Sequence, residues 1–147
     1  MGIPSYFSYI VKNHREIIKK LLDINYPINN LYIDSNSIVY DCLRSITYND
    51  NDEFFENTLI KEVCYKLQEY IQHIQPNSKV FIALDGVAPV AKLEQQRNRR
   101  YKSTMEKKIM KAIDSNTKDS WSSTAITPGT HFMNKLNKGI QSFFHNK

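Results

Sequence analysis

The sequence predicts an α/β domain in which a parallel sheet is flanked by helices. Two short, continuous apolar runs, at 31–33 and 80–84, have the length and composition of buried strands. Before, between and after these runs, apolar residues recur every three to four positions, which is the spacing of amphipathic helices. Strands that alternate with helices are typical of parallel sheets. The 147 residues, of which 41% are apolar, suffice for a single domain with one core.

The first half of the chain contains four predicted elements. Apolar spacing predicts a helix over 6–22, and the run 31–33 predicts a strand that stops at the polar residues after it. A short helix is expected over 38–43. After a polar turn, a long helix is expected over about 53–74, and its apolar face comprises Phe55, Leu59, Val63, Leu67, Tyr70, Ile71 and Ile74.

The second half begins with the most regular strand signal in the sequence. The run 80–84 ends at Asp85-Gly86, a pair that is typical of turns. A helix is expected over 90–113, a polar loop over 114–123, and a last helix with Thr130 as its N-cap. The last helix is either part of the core or an exposed face that binds a partner; its apolar residues are Phe132, Leu136, Ile140, Phe143 and Phe144.

Composition excludes several classes of protein. No apolar run is long enough to span a membrane, so no membrane partner is expected. The N-terminus lacks the pattern of a secretory signal. The two cysteines, Cys42 and Cys64, are too few for a disulfide framework and lie at apolar-face positions. We therefore expect an intracellular protein. We favour the cytoplasm; the alternative is the nucleus, for which the basic residues of 97–102 would serve as a signal.

The positive charge of the chain is concentrated in one segment. The formal net charge is +5, from 20 basic and 15 acidic residues. Residues 92–111 carry eight basic and two acidic side chains, a surplus of six, so the rest of the chain sums to −1. A basic segment with so few acidic neighbours is typical of a surface that binds nucleic acid. The alternative is a solvated helix face.

An aspartate follows each predicted strand, Asp34 after the first and Asp85 after the second. Neighbouring parallel strands end at the same edge of a sheet, where α/β folds bind ligands, so these carboxylates are expected to lie together. Hard oxygen ligands favour Mg²⁺ or Mn²⁺, which promote phosphodiester cleavage by activating water. Alternatively, each aspartate only caps a helix or starts a turn. No zinc-ligand spacing, nucleophile motif or nucleotide-binding loop offers another chemistry.

Several motifs then occur in order: MGIP (1–4), LYIDSN (31–36), FIALDGVAP (81–89), AKLEQQRNRRY (91–101) and ITPGT (126–130), the last followed by Phe132 and Met133. Together they resemble the N-terminal block of the Xrn-type 5′→3′ exoribonucleases over nearly the whole chain. The resemblance implies a Rossmann-like or PIN-like nuclease lobe. It also implies metal-dependent 5′→3′ hydrolysis of RNA that bears a 5′-monophosphate.

The resemblance assigns roles at the predicted strand ends. Asp34 and Asp85 match two carboxylates of the family's magnesium-binding active site. Asn36 matches an active-site asparagine; its alternative role is to cap the following helix. Tyr40 stands where the family usually has a histidine that stacks on the first base. Tyrosine stacks on any base as well, and the competing interpretation is a core tyrosine.

The basic segment matches the family's pocket for the RNA 5′-monophosphate, at Lys92, Gln96, Arg99 and Arg100. Their spacing places all four on one helix face. Three cations and an amide suit a terminal phosphate, because arginine forks donate directional hydrogen bonds to it. Arg97 lies off that face, as a backbone contact or a solvated charge.

The family's remaining metal carboxylates lie in later motifs, and no acidic cluster in these 147 residues matches them. Residues 1–147 are therefore expected to be a single, truncated N-terminal segment of an exoribonuclease domain. The alternatives are an RNA 5′-end-binding module that does not cut, or a half-enzyme that needs a downstream segment or second chain for further carboxylates. A flap-type structure-specific nuclease shares the strand-end aspartates, but QQRNRR (95–100) and ITPGT weigh against it.

Overall fold

The computed structural model of the protein describes residues 3, 5–23, 26–113 and 121–145. In this part of the chain the strands are β1 (Asn30–Asp34) and β2 (Lys79–Ala83). The helices are α1 (Tyr6–Asn13), α2 (Asn36–Ser45), α3 (Asp52–Ile74), α4 (Val90–Ile113) and α5 (His131–Phe144). The predicted α/β class is confirmed, as are both strands and the four helices that follow the first one.

The two strands are parallel neighbours, as predicted. Their pairing continues past the strand ends, because the N–H of Ser35 donates to the carbonyl of Ala83 at 2.9 Å. One face of the sheet packs its apolar side chains against the core. The other face exposes Tyr32 and Phe81, whose ring centroids are 6.1 Å apart. The carboxyl ends of the strands therefore lie side by side, which is the geometry that an edge site requires.

The hydrophobic core lies between the sheet and helices α2, α3 and α5. Helix α3 packs against both α2 and α5. Burying a large aliphatic or aromatic side chain contributes about 1.5–3 kcal/mol relative to leaving it exposed. The most buried of these side chains are Val39, Leu59, Val63, Leu67, Phe132 and Leu136. Since the apolar face of α5 contributes to this core, α5 is a core helix, and that face is not exposed for binding a partner.

Both cysteines lie in this core. Cys42 is on α2 and Cys64 is on α3, and each is buried. Burial raises the pKa of the Cys42 thiol, because the charged thiolate loses its hydration there. The prediction that both cysteines occupy apolar faces is confirmed.

Side-chain caps begin two of the core helices. Asn51 Oδ1 accepts a hydrogen bond from the N–H of Phe54 at 2.9 Å at the start of α3. Thr130 Oγ1 accepts from the N–H of Met133 at 3.3 Å at the start of α5, which confirms the predicted cap. Each cap satisfies one of the N–H groups that the first turn of a helix leaves without a partner.

Gly139 of α5 lies close to Ile60 of α3. A Cβ atom added there would lie 2.6 Å from Cγ2 of Ile60, well inside van der Waals contact. Glycine is needed here for space and not for its backbone freedom. The absence of one methyl group therefore sets how closely α5 docks on α3.

The predicted helix over 6–22 is wrong beyond Asn13. The chain leaves the α-helix at His14 and continues as short 3₁₀ turns at Arg15–Ile17 and Leu21–Asp23. No side chain of α1 is buried, so packing does not extend the helix. The Asn13 side chain also donates to the carbonyl of Tyr9 at 2.8 Å, a local bond that competes with helical pairing.

Trp121 corrects the predicted polar loop over 114–123. Its side chain is buried, and its ring lies 5.6 Å from Phe55 and 4.9 Å from Phe132, measured between centroids. The segment after it contains a 3₁₀ turn, Ser123–Ala125. Residues 114–120 of that loop lie outside the described residues, and so do Met1, Gly2 and Pro4 of the first motif.

Candidate functional site

The two predicted carboxylates lie at the same edge of the sheet. Asp34 is the last residue of β1, and Asp85 is two residues past the end of β2. Both border one open cavity, which we call the strand-end cavity; Tyr32, Phe81 and Gly86 also line it. The side chains of Asp34 and Asp85 are exposed and accessible to a ligand.

Asn36 connects the two strand ends. Its Oδ1 accepts a hydrogen bond from the main-chain N–H of Asp85 at 3.0 Å, across 49 residues of sequence. Its own N–H lies 3.5 Å from Oδ1 of Asp34. Asn36 therefore does not cap α2 with its side chain, which was its alternative role; it holds the Asp85 backbone beside the start of α2. The approach of Asp34 to this N–H gives that carboxylate a weak helix-start contact.

A second cavity lies between α2, α4 and the segment around the 3₁₀ turn; we call it the α2–α4 pocket. It encloses about 370 Å³, within the usual range of ligand pockets. It brings together most of the residues that the sequence singled out. The lining residues with predicted roles are Asn36, Tyr40, Asp85, Gln96, Arg99 and Arg100.

The α4 side of the pocket is basic. Gln96 and Arg100 are half-buried and Arg99 is exposed, so the predicted face of the helix is the one that turns toward the pocket. Among the described residues, no ion pair neutralises Arg99 or Arg100. The two guanidinium groups therefore retain donors for an anion.

Lys92 and Arg97 differ from Gln96, Arg99 and Arg100 in that they do not line the pocket. Lys92 is exposed in the first turn of α4 and is not among the residues that line the pocket. Its N–H donates to the carbonyl of Pro89, which starts the helix. Arg97 is also exposed and outside the lining, as its position off the predicted face implies. The structure thus brings together three of the four residues predicted for this face.

Tyr40 fits both interpretations offered by the sequence. Its half-buried ring packs against the hydrophobic core and also lines the α2–α4 pocket. A ring supported on one side by the core is held in place, and its remaining surface is available to the pocket.

The pocket also contains residues that sequence reasoning missed. Arg44 lies one helical turn beyond Tyr40 on α2, and hydroxyl side chains of α4 and of the segment 123–127 also line the pocket. The additional lining residues are Arg44, Ser103, Ser123, Thr124, Ile126, Thr127 and Pro128. Spacing gave a signal for Arg44, because residues 36, 40 and 44 share one face of a helix. The position of 123–128 depends on tertiary packing of Ile126, which is buried in the core.

The strand-end carboxylates do not form a complete acidic cluster. Among the described residues, no group of three or more histidine, cysteine, aspartate or glutamate side chains is placed to hold a metal ion. Asp34 and Asp85 provide carboxylate oxygens of the kind that Mg²⁺ and Mn²⁺ prefer, but they provide only part of a coordination shell. In the same part of the chain, no helix has both the length and the apolar character to cross a membrane.

The sequence matches the family described as "XRN 5'-3' exonuclease N-terminus" over residues 1–147. It is 39% identical, over 158 aligned positions, to 5'-3' exoribonuclease 1 of Saccharomyces cerevisiae, covering all of this chain and 10% of that protein. The human 5'-3' exoribonuclease 1 is 33% identical, with 100% and 9% covered. The 5'-3' exoribonuclease 2 of Kluyveromyces lactis is 32% identical, with 92% and 17% covered.

The chain thus spans about a tenth of the length of the exoribonuclease 1 proteins that it resembles. The match covers the paired strand ends, the basic helix and the last core helix together. The resemblance inferred from the motifs is therefore confirmed, and this chain belongs to the Xrn-type 5′→3′ exonuclease family, whose N-terminal region it matches.

Proposed function

We propose that this chain is the N-terminal part of a metal-dependent 5′→3′ exoribonuclease domain and that it binds the 5′-monophosphate end of RNA. The observation that carries the proposal is the α2–α4 pocket. There, basic residues of α4 lie opposite Tyr40, and Asp85 from the strand end borders the same space. A phosphate-binding group and a candidate metal ligand thus share one cavity.

In this proposal Gln96, Arg99 and Arg100 bind the terminal phosphate. A phosphate monoester carries more negative charge than a phosphodiester and presents three acceptor oxygens. Arginine forks without carboxylate partners suit such a group, since charge-assisted hydrogen bonds are roughly twice as strong as neutral ones. Lys92, one turn before Gln96 on the same helix, contributes positive charge or joins the pocket when RNA binds. Tyr40 stacks on the first base.

Asp34 and Asp85 are the proposed ligands of the metal. Nucleases of this family are metal-dependent, and the two carboxylates supply hard oxygen donors for Mg²⁺ or Mn²⁺. When bound, such a metal supplies Lewis-acid chemistry that activates water and stabilises the leaving oxygen. Asn36 contributes by fixing the backbone of Asp85. The protein's own part is to hold the RNA end beside these carboxylates.

The test compares two RNAs of the same sequence, one with a 5′-monophosphate and one with a 5′-hydroxyl. The purified 147-residue chain is incubated with each in Mg²⁺, in Mn²⁺ and in a chelator. We expect tighter binding of the phosphorylated RNA, with an affinity that falls as salt increases, because the pocket displaces counterions. Equal affinity for both RNAs would reject the phosphate pocket.

A second candidate is an RNA 5′-end-binding module or a half-enzyme that needs a downstream segment or a second chain. The pair of carboxylates at the strand ends, with no third acidic ligand among the described residues, favours it. The names of the relatives favour an exoribonuclease over the flap-type alternative. In this candidate the chain binds phosphorylated RNA and leaves it intact in Mg²⁺.

Two variants separate these candidates. Arg100→Ala removes a pocket cation, and Asp85→Ala removes a candidate metal ligand. If the chain is an active enzyme, both variants slow the Mg²⁺-dependent loss of phosphorylated RNA. If the chain only binds RNA, Arg100→Ala weakens binding of the phosphorylated RNA. The amount of intact RNA in Mg²⁺ is then the same for Asp85→Ala as for the unmodified chain. Lys92→Ala measures whether this lysine, which does not line the pocket, contributes to RNA binding in solution.

A further inference from the structure

The α2–α4 pocket has a third basic residue, which lies on α2 and not on α4. Arg44 lines this pocket, whereas its ion-pair partner Asp41 does not. Arg44 follows Asn36 and Tyr40 at intervals of four residues, so the three side chains occupy one face of α2. The pocket is therefore basic on two sides, with Arg99 and Arg100 on α4 and Arg44 on α2.

The present contact of Arg44 is a weak one. Its Nη1 donates to Oδ1 of Asp41 at 2.8 Å, and the two side chains are 76% and 68% exposed. Ion pairs this exposed are largely screened by water and stabilise little. A phosphate that enters the pocket offers Arg44 a group with more charge and more acceptor oxygens. The guanidinium can therefore exchange Asp41 for the phosphate at little cost.

We propose that Arg44 is an additional phosphate-binding residue of this pocket, which leaves Asp41 when the 5′-phosphate of RNA enters. The inference rests on the proposed function, because it assumes that the RNA end occupies the α2–α4 pocket. It adds a ligand from a second helix, so that the terminal phosphate is held from two sides. Asp41 then acts as a competitor that lowers the affinity for the phosphate.

Binding measurements without metal test this role. Fluorescence anisotropy in a chelator gives the affinity of the 147-residue chain for the 5′-monophosphate and 5′-hydroxyl RNAs. We expect Arg44→Ala to weaken binding of the phosphorylated RNA about ten-fold, the usual scale for a charge-assisted hydrogen bond, and to leave the 5′-hydroxyl RNA nearly unchanged. Arg44→Lys keeps the charge but not the fork, so it should lose less.

Substitution of Asp41, the ion-pair partner of Arg44, should change the affinity for phosphorylated RNA in the opposite direction. Asp41→Asn removes the competing carboxylate and should tighten binding of the phosphorylated RNA by about two- to three-fold, the scale of an exposed ion pair. The gain should disappear in the double variant Asp41→Asn/Arg44→Ala, because there is no arginine to release. Arg15→Ala is the matched control: it removes the same exposed side chain from a site that does not line the pocket.

The outcomes separate this inference from the proposed function. If the unmodified chain prefers the phosphorylated RNA and Arg44→Ala behaves like Arg15→Ala, the proposed function stands and the role of Arg44 is rejected. If the unmodified chain shows no preference, the phosphate pocket fails and Arg44 fails with it. Arg44 is exposed, so Arg44→Ala should fold normally, and a thermal melt monitored by circular dichroism verifies this.

Discussion

The two helices that form the α2–α4 pocket differ in how the rest of the molecule holds them. Helix α2 buries Ile38, Val39 and Cys42 against the core. On α4, by contrast, apolar side chains such as Leu93 and Ile109 are exposed. Helix α2 packs closely on α3, and α4 makes no comparably extensive contact with another described element. The α2 wall of the pocket is therefore part of the core, whereas the α4 wall has few packing contacts with the other described elements.

This difference allows a site for a charged ligand to meet two requirements on different helices: solvated cations and a fixed stacking surface. Burying an unpaired cation is costly, so the basic residues of α4 must stay near water until a ligand arrives. An aromatic ring that stacks on a base, and a side chain that binds a backbone N–H, must instead be held in one position by packing. Tyr40 and Asn36 therefore belong to the packed helix, while Arg99 and Arg100 belong to the solvated one.

The largest expected effect comes from removing the same side chain from each helix. Ile38 is 6% exposed and Ile109 is 49% exposed. Ile38→Ala should lower the free energy of unfolding by about 2–5 kcal/mol, because it leaves a cavity in the core. Ile109→Ala should change it by less than about 0.5 kcal/mol. Urea unfolding followed by circular dichroism measures both, and equal losses would contradict the comparison.

Adding a methyl group tests how tightly the packed helices fit. Gly139→Ala places a Cβ against Cγ2 of Ile60, and overpacking of this kind costs about 1–3 kcal/mol. The helix propensity of alanine offsets up to about 1 kcal/mol of this cost, so a net loss of about 1 kcal/mol is expected. In an Ile60→Ala background, where Cγ2 is absent, the same change should no longer destabilise. A loss that persists there would show that the close approach is not its cause.

A smaller effect distinguishes a cap from an ordinary helix position. Thr130→Ala removes the hydroxyl that accepts from Met133 at the start of α5 and should cost about 1 kcal/mol. Thr104→Ala, at an exposed position inside α4, should be neutral or slightly stabilising, because alanine has the better helix propensity. Thr130→Ser keeps the hydroxyl and should retain most of the stability. Thermal melts of the three variants give the comparison.

The smallest effect concerns an exposed pair on α3. A hydrogen bond from Lys66 to Glu69, at 2.8 Å, lowers the pKa of the glutamate and raises that of the lysine. Because the folded pKa of Glu69 is lowered, its contribution to stability is present above the unfolded pKa and is lost as pH falls through the folded pKa, in the acidic range. Lys66→Ala should return the pKa of Glu69 toward its ordinary value in an NMR titration. Lys61→Ala, on the same helix, is the control and should leave it in place.

The elements that sequence periodicity predicted best are those that the core decides. The long helix α3 and both strands lie within about one residue of their predicted extents. Helix α3 buries most of its apolar face, whereas each strand buries only the side chains of its core-facing side and leaves Tyr32 and Phe81 exposed. The N-terminal helix is shorter than its apolar spacing predicts, because none of the side chains of α1 is buried and packing therefore does not stabilise further turns. Trp121 was assigned to a polar loop because its neighbours in sequence are polar, while its ring packs on residues far along the chain.

The candidate site shows the same limit. The positions of Asp34 and Asp85 followed from strand ends alone, and the α4 face followed from helical spacing. The wall formed by Thr124 and Thr127 could not be predicted from spacing, because it depends on how the segment after 120 folds back on the core. The roles of Asp34, Asp85 and the basic residues of α4 in binding and catalysis stay predictions.

The hydrogen bond between the Asn36 side chain and the N–H of Asp85 has a consequence for folding. It joins residues 49 positions apart, so forming it costs the conformational entropy of closing the chain between them. Helices α2 and α3 lie between these two residues in the chain, so the contact brings the ends of that whole segment together. A change that opens the pairing of β1 and β2 would separate Asp34 from Asp85 even if both side chains were intact. The arrangement of the two carboxylates can therefore last no longer than the pairing of the strands that carry them.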